Sequence, residues 1–105
     1  MTSNDAYLRV KNMLTNYKDK EKQIKIFGLD KEEQNFLTHC LACLDAYERD
    51  LVINIMIEKI SVRCYSRKSG FSRNFITKER DRIILLIAKF FEIKESYSNY
   101  QGYAG

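Results

Sequence analysis

Along the first quarter of the chain the apolar side chains fall on a seven-residue repeat. Tyr7, Val10, Leu14, Tyr17 and Ile24 share one seam, interrupted by Glu21. This pattern predicts an amphipathic helix that begins at Asn4 or Asp5 and runs to about Ile26. A single seam of this kind serves either to dock the helix on its own domain or to pair it with a second copy. Gly28 marks its end, as glycine does after many helices. A second helix is predicted over residues 31–44. Asp30 and Glu33 are spaced as a capping box, and Leu37, Cys40, Leu41 and Leu44 form its inner stripe. The same signal recurs at Asp45 and Glu48, ahead of a third helix over 46–59. The middle of that helix, residues 51–57, is apolar on nearly every side except at Asn54, which suits the centre of a bundle.

The texture then changes. A short helix is predicted over 62–68, a tight turn over 69–71, and Ser72 as the cap of a long final helix ending near Ile93. Ile76, Ile83, Ile87 and Phe91 form the inner stripe of the last helix, flanked by Ile84 and Ala88. The remaining residues, 96–105, are polar and glycine-punctuated, with Tyr97, Tyr100 and Tyr103 at every third position. They read as a disordered tail. The expected layout is all-α, with about five helices: an N-terminal helical segment (1–29), a helical domain (30–95) and the tail (96–105). The absence of proline supports long helices.

Charge sharpens the picture more than composition does. The formal net charge is only +4, but between Lys59 and Arg82 eight basic side chains stand against Glu79 and Asp81. Between Asp30 and Glu58 the balance reverses, with two basic residues against seven acidic. A concentrated basic stretch suits a polyanionic partner, which attracts it at long range and gains from counterion release. The acidic stretch is a candidate contact surface for RNA polymerase. No apolar run approaches the length of a membrane span, the N-terminus lacks signal-peptide order, and three cysteines fit reduced thiols in a cytoplasm.

Residues 61–88 meet the demands of a helix-turn-helix, in which Gly70 permits the turn and Phe71 plugs the angle between the helices. On the final helix Arg73, Asn74, Thr77, Lys78 and Asp81 share one side, roughly 120° from the apolar stripe. Arginine and lysine hold guanine edges, asparagine pairs with adenine, threonine meets a thymine methyl and aspartate accepts from cytosine. These five are the candidate base readers. Arg63, Arg67, Lys68, Ser72, Arg80 and Arg82 are the candidate backbone contacts, with the stem of Arg80 lying on the apolar stripe.

The order Glu48-Arg49, an apolar helix, then Gly70-Phe71-Ser72 and a basic-then-apolar helix resembles region 4 of bacterial sigma factors. It is similar above all to small phage-borne activators of the ArpU type. Tyr65, Gly70, Ser72, Ile76, Ile83, Ile84, Ile87 and Ala88 stand where that module packs and turns. Ser66 and Ser69 depart from it, standing where alanine and leucine are usual. The resemblance implies an accessory transcription regulator, encoded by a phage or mobile element and working beside RNA polymerase, since one such module fills the chain. The rival reading keeps the shape but docks on polymerase or another regulator without reading DNA.

Other chemistry is weaker. His39, Cys40 and Cys43 include a CxxC spacing, but the cysteines sit among leucines with no second close pair, so buried packing outweighs zinc. With one histidine and no base beside a serine or cysteine, an enzyme is not expected, nor is a cofactor. The expected partner is double-stranded DNA, with a homodimer through the N-terminal seam as an open alternative.

Overall fold

A computed structural model describes the backbone of residues 3–104 and the side chains of residues 4–97. Within these residues the protein is all-helical, with six α-helices and one π-helical turn. The sixth helix arises because the predicted first helix is broken. Helix α1 spans Ser3–Thr15 and α2 spans Tyr17–Phe27. Asn16, at φ −100° and ψ 13°, separates them. Hydrogen bonds still run across the junction, from Asn16 N–H to the Asn12 carbonyl and from Lys20 N–H to the Asn16 carbonyl. The Thr15 hydroxyl donates to the Lys11 carbonyl at 2.8 Å, and such back-bonding bends helices. Helix α2 ends at Gly28, whose φ of 64° is the left-handed conformation expected there.

Helix α3 (Glu32–Ala42) begins differently from the capping-box expectation. The Asp30 carboxylate accepts from Glu32 N–H, but Glu33 reaches out to Arg9 of α1 instead of back to Asp30. Ahead of α4 (Ala46–Val52) the box does form, and Glu48 accepts from the Asp45 N–H at 3.0 Å. Helix α4 continues as a π-turn, Ile53–Ile57. The widened turn places Ile55, Met56 and Ile57 together in the core, which a regular α-helix would do less well for three consecutive residues. Lys59 then takes φ 60°, a left-handed position at a helix end normally filled by glycine. Lys59→Gly should therefore raise stability by about 0.5–1 kcal/mol, read as an increased urea midpoint.

Helix α5 (Val62–Ser69) is capped by the Ser61 hydroxyl, which accepts from Cys64 N–H, and ends at Gly70. The final helix, α6, spans Arg73–Ala104. It runs past Ile93, where its end is expected, so the backbone of 96–104 is helical where composition predicts disorder. Once a helix is nucleated each further residue adds a hydrogen bond, and no proline interrupts this stretch. The side chains of Tyr100 and Tyr103 lie outside the described residues.

One core joins the helices, and α2, which buries no residue fully, contributes to it only through the part-buried Tyr17. Ala6, Val10 and Leu14 of α1 enter it beside Leu37, Leu51, Tyr65, Ile76, Ile83, Ile84 and Ile87. The seam of the N-terminal helix therefore docks on its own domain: Val10 and Leu14 are buried, and Tyr7, Tyr17 and Ile24 remain part-exposed. Helix α1 crosses α6 steeply. Tyr7 bonds to Asp81, yet Arg9 pairs with Glu95, about four turns further along α6. Ala6 and Ala88 sit at the crossing and allow close approach.

Candidate nucleic-acid interface

Helices α5 and α6 are joined by residues 70–72. Gly70, at φ 83°, satisfies the end of α5 by donating to the Ser66 carbonyl. The Ser72 hydroxyl accepts from Phe75 N–H at 3.1 Å, which fixes the first turn of α6. Ser72, read from sequence as a backbone contact, thus has its hydroxyl committed to the cap. Between them Phe71 is held on both sides. The Ser66 hydroxyl donates to the Phe71 carbonyl at 2.6 Å, and the Phe71 N–H donates to the Ser69 hydroxyl at 3.1 Å. The two serines that depart from the sigma-like pattern therefore clamp the turn, a role that sequence reasoning missed. Their departure from apolar residues was the only signal. The Phe71 ring rests on Phe75 and Tyr47, with centroids 4.9 and 6.4 Å away. Below, Tyr65 is buried and its hydroxyl donates to Asp50 at 2.6 Å, pinning α5 to α4. Burial first, and then this bond, push the Tyr65 hydroxyl up to about 12, so it stays a donor.

The candidate base readers separate into two groups. Arg73, Asn74 and Lys78 are exposed on the first two turns of α6. Thr77 is half-buried, and its hydroxyl donates to the Arg73 carbonyl, which leaves its methyl as the contact it can offer. Asp81 is engaged. Its Oδ1 accepts from the Tyr7 hydroxyl at 2.8 Å and from Arg80 Nε at 3.2 Å. Burial and this bond raise the Tyr7 pKa, keeping the donor protonated. Helix α1 thus covers the flank of α6 at Asp81, and the open face ends at Lys78.

The candidate backbone contacts divide in the same way. Arg63, Arg67 and Lys68 are exposed and line one shallow concave surface on α5 with Ser61 and Cys64. Arg80 packs its stem and pairs with Asp81. Arg82 is engaged within the fold through two of its three guanidinium nitrogens. Its Nε and Nη2 both donate to Glu79 at 2.9 Å, and Nη2 also reaches Glu48 of α4. The Tyr47 hydroxyl donates to Glu79 at 3.0 Å and closes the cluster. The Arg82 hydrogen bonds hold both the Glu48 and the Glu79 carboxyls below the usual carboxylate range. Sequence spacing shows only the Glu79–Arg82 pair, three residues apart on α6, and not its reach to Glu48, 34 residues away.

Four of the seven carboxylates in the acidic stretch are paired with cations of the chain itself. Glu32 pairs with Lys94, Glu33 with Arg9 and Glu58 with Lys18. Glu48 pairs with Arg82, and Asp50 accepts from Tyr65 and Asn54. By contrast, among the described residues Arg63, Arg67, Lys68, Arg73 and Lys78 have no ion-pair partner. Lys59 and Lys89 of this half of the chain are also unpaired, but these five stand together across the α5–α6 turn, with no carboxylate between Glu58 and Glu79. Among the described residues no three His, Cys, Asp or Glu side chains are placed to hold a metal ion. No described helix is long and apolar enough to cross a membrane. No protein-family model matches the chain, and neither a curated protein nor a solved structure matches it.

Proposed function

We propose that the protein is a transcription regulator that binds duplex DNA sequence-specifically through a helix-turn-helix formed by α5 and α6. The observation that carries this reading is the segregation of charge. Five cations stand together on α5 and the first turns of α6 with no ion-pair partner among the described residues, in a stretch that has no carboxylate between Glu58 and Glu79. A face of this kind gains free energy from phosphate neutralisation and counterion release. Arg73, Asn74 and Lys78, with the Thr77 methyl, read base edges in the major groove, and Arg63, Arg67 and Lys68 hold the backbone. Asp81, Arg80 and Arg82 serve as structural residues in this assignment. The rival reading, docking on polymerase or another regulator, loses part of its basis, since four of the seven carboxylates in the acidic stretch pair with cations of the chain itself.

The test is selection of bound duplexes from a random pool, followed by salt titration of the selected site. Three phosphate contacts give a log–log slope of about −3. Arg67→Ala should weaken all sequences alike and make the slope shallower by about one. Arg73→Ala should instead relax preference at one position, by about ten- to a hundredfold. A flat salt response, or no enrichment of any sequence, refutes DNA reading and leaves the docking alternative.

A further inference from the structure

We propose that Cys40 and Cys43 form a dithiol that closes to an intramolecular disulfide when the protein meets a small-molecule disulfide such as oxidised glutathione. The two residues occupy the last turn of α3, and both line one apolar groove against Phe36, Phe90 and Ile93. The Cys43 N–H donates to the His39 and Cys40 carbonyls, each at 3.1 Å. The second of these bonds closes a tight four-residue turn, which brings the terminal Cα atoms to within about 7 Å. Disulfides span Cα separations of about 4.4–6.8 Å, so the backbone stands in or close to the range a bridge needs.

The environments of the two thiols differ in a way that assigns their roles. Cys43 is exposed and caps the end of α3, so an oxidant reaches it and its rotation disturbs no later turn of the helix. Cys40 is 4% exposed and belongs to the core cluster. Burial pushes its thiol up to about 11, which keeps it protonated and unreactive toward reagents in solution.

The chemistry proceeds in two exchanges. The Cys43 thiolate attacks one sulfur of oxidised glutathione, forming a mixed disulfide and expelling one glutathione thiolate. Cys40 then releases its proton to water and attacks Cys43 Sγ, displacing the second glutathione thiolate, which takes up a proton. Two protein thiols are oxidised and one glutathione disulfide is reduced to two thiols. Cys64 is also exposed but stands on α5, so it serves as an internal reference that stops at the mixed disulfide.

The experiment exposes the full chain to oxidised glutathione, quenches with an alkylating agent, and reads intact and peptide masses. Wild type is expected to carry a Cys40–Cys43 bridge and one glutathione, on Cys64. Cys64→Ser should show the bridge and no retained glutathione. Cys40→Ser should accumulate glutathione on Cys43, and Cys43→Ser should leave Cys40 fully alkylated once unfolded. The proposal is overturned if Cys64→Ser keeps glutathione on Cys43, or if both thiols still alkylate under conditions that fully modify Cys64 in wild type. Should Cys40→Ser fail to fold by circular dichroism, Cys64→Ser and Cys43→Ser decide the question alone.

Discussion

Leu14→Glu should unfold the protein, whereas a dimer seam would predict a folded monomer. Leu14 has no exposed surface and lies where α1 joins the common core, so an ionised carboxylate there has neither water nor a partner. Even the truncation Leu14→Ala should cost about 2–5 kcal/mol, the range for large-to-small changes at fully buried positions. Ile26 and Phe27 give the control, being 72% and 71% exposed at the end of α2. Phe27→Glu should change stability by about 0.5 kcal/mol or less, since surface substitutions away from special features seldom do more. Urea unfolding followed by circular dichroism separates these outcomes. A Leu14→Glu chain that stays folded while a dimeric parent becomes monomeric in sedimentation would place the seam between subunits and refute the core assignment.

The parts of this fold legible in the sequence are those governed by neighbours. The Asp45–Glu48 box, the Ser72 cap and the left-handed Gly70 each follow from residues within a turn of one another. The apolar stripe Ile76, Ile83, Ile87 and Phe91 is buried as its spacing requires. What was not legible depends on partners distant in the chain. Asp81 has the spacing of a base reader, but its availability is decided by Tyr7, 74 residues away. Arg82 has the charge of a phosphate contact, but Glu48 of another helix captures it. The kink at Asn16 and the π-turn after Val52 have weak local signals. A seven-residue repeat continues through the first, and an unbroken apolar run conceals the second. Arg73, Asn74 and Lys78 keep their place on the open face because nothing distant competes for them.

Removing Arg82 should be costly, and the cost should depend on pH. Arg82→Ala leaves Glu48, 7% exposed, without its charged partner and releases Glu79 and Tyr47 from the contact between α4 and α6. Breaking a buried pair from one side costs about 3–5 kcal/mol, and the half-exposed guanidinium here is partly screened by solvent. The expected loss at neutral pH is therefore about 2–3 kcal/mol. In the wild type both carboxyls titrate below their unfolded value, ordinarily about 4.3, chiefly because Arg82 donates to them. Their stabilisation is complete above that value and is lost as pH falls through the lower, folded pKa values. In Arg82→Ala the burial of Glu48 remains without the compensating bonds, and this favours the protonated form. The variant should accordingly lose less stability than wild type on acidification, so the difference between them narrows below about pH 4. Arg82→Lys tests the geometry, since an ammonium lacks the planar fork that meets both oxygens of Glu79 and should recover only part of the loss. Urea midpoints measured from neutral to acidic pH give all three curves. A constant gap between wild type and Arg82→Ala would show that the arginine contributes by packing its stem and not by its charge.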